Sequence, residues 1–350
     1  MALRVCVIGA GIIGASIAYF MTRRGAEITV IDPASRERMA TLGSLAWINS
    51  HLSGSDAYFR LRLRSMRLWH GLISELPGVP IRLSGTLNWE DRRGEMTEVA
   101  AEHQRLGART RIVEAPEINQ LVPGLSPPDR ALWSPDEGVA DPDRIAHAFL
   151  SAAVAGGATV RHGALVEAID PKGNSVRFDD GSNLDVDRIV VAAGLGSVPL
   201  LKALDIDLPL APSPGMLIRT NSQPPLARPF LAAPDAHFWQ MGDGRIIAGA
   251  DYAGTHDADG VDEIAAGLID ALERLFPGTS MVEEERRITQ RPMPEDGFPI
   301  LGGLPSHPRI SVAVTHSGVT LAPVIGEMIA ADVLGNGDPD LGRYSLMRFA

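Results

Sequence analysis

Residues 3–32 read LRVCVIGAGIIGASIAYFMTRRGAEITVID. A β-branched run turns at Gly9-Ala10-Gly11-Ile12-Ile13-Gly14, a helical pattern follows to Arg24, and a second apolar run, Ile28 to Ile31, ends in Asp32. Each glycine serves a mechanical purpose. Gly9 makes the strand-to-helix turn, Gly11 lets backbone approach a pyrophosphate, and Gly14 lets helix pack close on strand. The helix start, at Ile12 and Ile13, offers free N–H groups and a positive dipole end to phosphate. Asp32 is placed to accept hydrogen bonds from ribose hydroxyls, and a carboxylate there disfavours a 2′-phosphate. A glycine triplet alone is a weak signal. Here strand, helix, second strand and terminal acid occur in the required order, so a dinucleotide is expected, with FAD and NAD both open at this end.

The rest of the composition narrows the class. A chain of 350 residues has room for one large unit or two joined ones. With 43 acidic against 32 basic side chains, the net charge of −11 argues against a nucleic-acid partner. Arg60, Arg62, Arg64 and Arg67 form one local basic run within a helical pattern near 56–76 and read as a solvated face. Cys6 is the only cysteine and falls inside an apolar strand, which suits a reducing compartment. No run of about 18 uninterrupted apolar residues occurs, so a cytoplasmic protein without a transmembrane segment is expected. No metal site is read.

Past Asp32 a loop around Gly43 and Ser44 leads to that helix. SGTLNWED and DRALWSPDEG read as strands, and RGEMTEVAAEHQRLG as an exposed helix. Asp141 is a credible N-cap ahead of Pro142, Gly156-Gly157 ends the helix that follows, and a strand through Val166 precedes a hairpin turning at Asp180-Gly181. An apolar strand, Ile189 to Ala193, stops at Gly194. From Leu208 to about Thr289 the pattern is GMLIRT, HFWQMG and RIIAGADY as strands, with DEIAAGLIDALERLF as a helix. The expected fold is α/β: a Rossmann-type, doubly wound, mainly parallel domain in three pieces, 1–80, 138–208 and 286–350. An α+β substrate domain on an antiparallel sheet, 81–137 and 209–285, is inserted between them.

Residues 315–334, THSGVTLAPVIGEMIAADVL, form a turn through Ser317-Gly318 into an apolar helix. The amides of Val319, Thr320 and Leu321 would make an anion-favouring cradle there. A nicotinamide ring has little use for it. An isoalloxazine does, because two-electron reduction places negative charge on its N1–C2=O edge.

Taken in order, VIGAGIIGASIAYFMTRRGAEITVID, DEGVADPDRIAHAF, RIVVAAGLGS, RPMPEDGFPILGG and THSGVTLAPVIGEMIA resemble the D-amino-acid oxidase-like family of FAD-dependent amine oxidoreductases, which includes glycine oxidase and sarcosine oxidase. The resemblance covers nearly the whole chain. It implies hydride transfer from a C–H beside an amine nitrogen to flavin N5, and hydrolysis of the resulting imine. Cofactor contacts are implied at Gly9, Gly11, Ile12, Ile13, Gly14, Asp32, Gly43, Ser44, Val166, Ala193, Gly194, Gly318, Val319, Thr320 and Leu321. Arg291 matches the position of an arginine that grips a substrate carboxylate, a role suited to its planar fork. His316 stands where such relatives carry a second arginine, and Trp239 on an inserted-domain strand is expected to wall the substrate pocket, with Phe238, Gln240, Trp47 and His51 nearby.

Departures from the pattern qualify the chemistry. Pro214-Gly215-Met216 replaces a polar triplet of many relatives, and Lys172 and Lys202 are the only lysines, neither in a flavin-proximal motif. The acceptor is therefore open between O2 and a quinone or partner protein. With Cys6 in the first strand and no histidine from Thr41 to Trp47, FAD is expected to bind without a covalent link. A small amine or amino acid substrate is expected. A 2-hydroxy acid, or a role as flavin subunit of a larger assembly, is the alternative.

Overall fold

The computed structural model describes residues 2–33, 40–51, 54–76, 78, 80–90, 96–250 and 260–350. The start of the helix expected at Arg93, and Asp251 and Tyr252 of the expected strand RIIAGADY, lie outside the described residues.

The strand Arg4–Ile8 sits in the middle of a six-stranded sheet. Glu27–Asp32 and then Thr159–His162 follow on one side, both parallel. On the other side come Arg188–Val191 and His307–Val314, also parallel, and an antiparallel edge strand, Ile300–Leu304. Strand order thus reverses at the first strand, which opens a crevice at the carboxyl ends of its neighbours. The helices Ile12–Thr22, Asp56–Glu75, Ile145–Ala155 and Gly318–Val333 bury their apolar residues in one core with one face of this sheet, while a small antiparallel sheet, Val166–Ile169, Ser175–Phe178 and Asn183–Asp185, contributes to the core on the other. Fold class is as the sequence implies, α/β with a parallel nucleotide-type sheet.

A second large sheet has eight strands. In order they are Glu283–Pro294, Leu210–Thr220, Ile246–Ala250, Ala236–Gln240, Phe230–Ala233, Thr86–Asn88, Arg130–Ser134 and Arg111–Glu114, all antiparallel except the Phe230–Ala233 and Thr86–Asn88 pair. The helix Val261–Leu275 covers one face. A boundary at residue 286 cuts through Glu283–Pro294, which pairs with Leu210–Thr220 as far as Pro294 against Leu210. Charge masks the strand's length: EEERR fills its first half, and only the partner's apolar alternation shows where it runs.

Two local expectations shift. The helix after Asp141 begins at Ile145, because Asp141 spends its carboxylate on the Asp143 N–H at 2.9 Å and closes a separate turn. The basic run is not one solvated face. Arg60 and Arg67 are exposed, but Arg64 pairs with Glu327 at 2.6 Å and Asp338 at 2.8 Å, and Arg62 is only 4% exposed. A helix of 20 residues packed along the terminal helix cannot turn positions 60, 62, 64 and 67 all to water, since they span more than half its circumference.

Candidate functional site

A cavity of about 970 Å³ runs along the carboxyl edge of the parallel sheet. Across it, in strand order, stand Asp32, then Gly9, Gly11, Ile12 and Ile13, then Ala193 and Gly194, and finally His316, Gly318 and Val319. Val166 lies on its wall near Asp32, and Ser44 and Arg291 face it from the loop and from the antiparallel sheet. Several separate stretches of the chain thereby meet at one crevice. Pocket residues that the sequence reading did not single out include Thr41, Glu167, Thr289 and Thr315.

The glycines divide by what constrains them. Gly9 has φ +108° and a Cβ there would lie 2.5 Å from the carbonyl oxygen of Ala192; a Cβ on Gly14 would lie 1.9 Å from that of Gly9. Both are required by the protein's own packing. Gly11 is different. Its backbone is extended (φ −63°, ψ 175°), and an added Cβ would meet nothing closer than Thr41 Oγ1 at 3.6 Å. The fold has no need of a glycine there, whereas a group lying against the cavity floor would. Gly43 packs against Thr289, with no room for a side chain, and is not on the cavity wall.

Polar groups complete the cradle. The Ala10 amide donates to the Asp32 carboxylate at 2.8 Å, fixing that carboxylate beside the glycine turn, and the Ile12 amide donates to Thr41 Oγ1 at 3.1 Å. The hydroxyl of Thr315, on the wall, is buried without a hydrogen-bond partner among the described residues. Such an orphan calls for a bound polar group or water.

The start of the terminal helix converges on the start of the first: a Cβ on Gly318 would be 3.3 Å from the Ile12 side chain. Two positive helix ends therefore border one crevice. Leu321 leaves the cradle expected from sequence, because its amide already donates to Ser317 O at 3.0 Å and its side chain is fully buried. Val319 and Thr320 hold the amides that precede the first intrahelical bond. Thr320 is itself 2% exposed and does not reach the cavity wall; its hydroxyl donates to Trp47 O at 3.0 Å. Pro323 lacks an N–H, so the Val319 carbonyl has no partner one turn on. Trp69 Nε1 donates to it at 3.1 Å, and Ser65 Oγ donates to Thr320 O at 2.6 Å, which ties the helix start to Asp56–Glu75.

On the sheet side, Arg291 lies along Gly215 and donates to Ser213 Oγ at 3.2 Å and Pro214 O at 3.0 Å. Asp296, five residues further along the chain, is engaged by Arg348 through two hydrogen bonds of 2.7 and 2.9 Å. Trp239 is not on the cavity wall. It is 4% exposed, packs in a cluster with Trp47 and Phe230, and donates its indole N–H to Leu45 O at 2.8 Å. Phe238 is core against Phe276. Gln240 holds a loop, accepting from the Leu226 amide and donating to Pro224 O, both at 2.7 Å. Alternation along Ala236–Gln240 places Trp239 on one face and Phe238 and Gln240 on the other, and none of the three lines the cavity.

The segment from Ser44 to His51 is held from several sides. Ala46 has φ +53°, rare for alanine, with Ser44 Oγ accepting its amide at 2.9 Å. Trp47 stacks on Phe230 at 4.4 Å, and His51 is buried between Trp47 and His103. Beneath lies Glu137, fully buried, receiving the amide and hydroxyl of Ser50 at 2.9 and 3.1 Å. Burial pushes its carboxyl upward from the usual range, against the pull of those donors, Thr86 and the Arg62 charge.

Comparison with known proteins decides the family. The model of the DAO family, FAD dependent oxidoreductase, matches residues 4–332. The chain belongs to that family. It is 28% identical to glycine oxidase of Bacillus licheniformis, over 94% of this chain and 92% of that protein. It is 26% identical to an opine oxidase subunit of Agrobacterium tumefaciens, over 98% and 96% respectively. Among solved structures, iminodiacetate oxidase from Chelativorans sp. BNC1 superposes with a TM-score of 0.84 at 26% identity, covering 98% of both chains. The protein is accordingly an FAD-dependent oxidoreductase, and the crevice fits that cofactor on its own terms: a glycine with room to spare, a fixed carboxylate, two helix ends and an orphaned hydroxyl. Among the described residues no helix is long and apolar enough to cross a membrane.

Proposed function

We propose that this DAO-family chain oxidises the C–N bond of a small amino acid or secondary amine that carries a carboxylate. Arg291 carries the reading: a guanidinium on the cavity wall whose hydrogen bonds to Ser213 and Pro214 go to neutral oxygens, held in place by a glycine that leaves room for it. Its planar fork binds a carboxylate bidentately. Glycine and iminodiacetate, which name two similar proteins, are both amines with a carboxylate on the neighbouring carbon.

Bound FAD supplies a ring whose N5 accepts hydride from the C–H beside the nitrogen. Asp32, Val166, Gly9, Gly11 and Gly194 hold the nucleotide, and Ser44, Gly318 and Val319 border the ring. Arg291 orients the substrate and His316 contacts it or the ring edge. Oxidation removes two electrons and leaves a C=N bond, which water opens to a carbonyl and the free amine. Orientation provides most of the rate. FAD binds non-covalently, in keeping with a lone Cys6 that is fully buried. The nucleotide domain takes residues 1–80, 138–208 and, from the sheet register, the chain after Pro294; the remainder forms the substrate domain. A reduced thiol suits the cytoplasm.

The acceptor is O2 or a quinone or partner protein. Lys202 pairs with Asp207 at the surface and Lys172 lies in an exposed turn, so neither lysine faces the cavity. The similarity to a protein named as a subunit favours, as a second reading, a flavin subunit served by another chain.

Steady-state assays of glycine against methylamine, and of sarcosine against dimethylamine, test the claim. A preference of at least a hundredfold in kcat/KM for the carboxylated member of each pair is expected. Equal values would overturn it.

A further inference from the structure

Arg62 is a buried cation. Its guanidinium donates to Asn49 O at 3.1 Å, Asn49 Oδ1 at 2.5 Å, Ser317 Oγ at 2.9 Å and Tyr58 OH at 3.4 Å, and lies over the Tyr58 ring at 5.4 Å. All four acceptors are neutral, and among the described residues no carboxylate oxygen comes within 4 Å of it. Arginine does not discharge by losing a proton. Burying such a charge without an adjacent counter-charge is costly, and the fold accepts that cost directly behind Ser317, the N-cap of the terminal helix. Arg62 does not line the cavity.

We infer that Arg62 is a fixed positive charge that adds to the helix dipole at the cofactor's pyrimidine end and so raises the reduction potential of bound FAD. This rests on the proposed placement of the ring beside Gly318 and Val319. The helix end alone supplies about half an elementary charge; a whole charge behind it, in buried surroundings that screen it little, adds to that field. The anion it favours is the two-electron-reduced ring. Glu137, whose charged form the same arginine favours, is the competing partner. Arg62 acts through the field and through Ser317, as a positioning residue.

The test is the two-electron potential of the FAD-loaded protein, read by dye equilibration without any substrate. Arg62→Gln should favour oxidised over reduced flavin by tenfold or more, a fall of about 30 mV for each tenfold. Arg62→Lys keeps the charge while breaking the fork to Asn49, and should stay within threefold of the parent. Asn49→Asp leaves Arg62 in place but sets a carboxylate against it, and should fall as Arg62→Gln does; it decides the matter if Arg62→Gln does not fold. Equal falls in the Gln and Lys variants, or no fall in Arg62→Gln and Asn49→Asp, would overturn the inference. A parent protein that binds no FAD would instead overturn the proposed function.

Discussion

Arg291 rests on Gly215: a Cβ at that glycine would stand 3.2 Å from Nε, closer than the guanidinium tolerates without moving by a few tenths of an ångström. The triplet Pro214-Gly215-Met216 thus offers a seat and a carbonyl in place of a polar side chain. Arg291→Ala should weaken carboxylate substrates by about 2–5 kcal/mol in transition-state binding. Gly215→Ala, with every charge intact, should raise KM for the same substrates by a smaller factor while flavin content stays unchanged. An unaltered KM in Arg291→Ala would remove the residue from the site.

Gly11→Ala separates cofactor binding from folding. Its Cβ has room in the protein, so the melting temperature of the FAD-free protein should stay within a few degrees, while FAD affinity falls by at least tenfold. Gly14→Ala meets the Gly9 carbonyl at 1.9 Å and should destabilise the fold itself, by about 2 kcal/mol or more. Calorimetry with flavin titration distinguishes the two, and identical behaviour would contradict the assignment of Gly11 to the ligand.

Asp143 gives a pH dependence. Burial raises its carboxyl pKa, but hydrogen bonds from Arg287 and Arg219 outweigh that and hold it below the usual range. A depressed carboxyl stabilises the fold above about pH 4 and loses that contribution as pH falls through the folded-state value. Asp143→Asn should therefore cost about 1–2 kcal/mol near neutrality, less than a fully buried pair because the carboxylate is partly exposed. The gap between parent and variant should shrink steadily as pH falls below about 4. A gap that stays constant from neutrality down into that acid range would place the effect elsewhere. Arg287 also donates to Leu42 O at 2.9 Å, so the loop before Gly43 should loosen in the variant, visible as faster amide exchange.

Cys6 is fully buried in the first strand, and burial pushes its thiol up to about 12. Native protein at pH 8 should resist iodoacetamide, and unfolded protein should take up one equivalent. Acid precipitation should release all the flavin into solution. Yellow colour retained in the pellet would mean a covalent link.

The motifs that build the crevice were legible because their constraints are local. Gly9, Gly14 and Asp32 are fixed by the turn they make, and the start at Gly318 by the strand before it. Side-chain roles on the inserted sheet were not legible, since period-two alternation gives the faces without saying which one meets the cavity. Trp239 and Gln240 both turned to holding loops. Arg62 was concealed by its neighbours: four arginines at short spacing read as one polar face, and only the partner helix shows that one of them is buried. Pro323 was the overlooked signal, because a proline five residues into a helix leaves the carbonyl at 319 in need of an outside donor, and Trp69 supplies it.

Anaerobic addition of single compounds to the yellow protein, followed at the flavin band, tests the central claim most directly. Glycine, sarcosine, D- and L-amino acids, proline derivatives and 2-hydroxy acids form the panel. The account predicts bleaching by at least one carboxylated amine, with ammonia or the free amine and a carbonyl compound recovered in amounts equal to the flavin reduced. The rate of recolouring in air then identifies O2 or another acceptor. Bleaching by 2-hydroxy acids alone, with every amine inert, would contradict it.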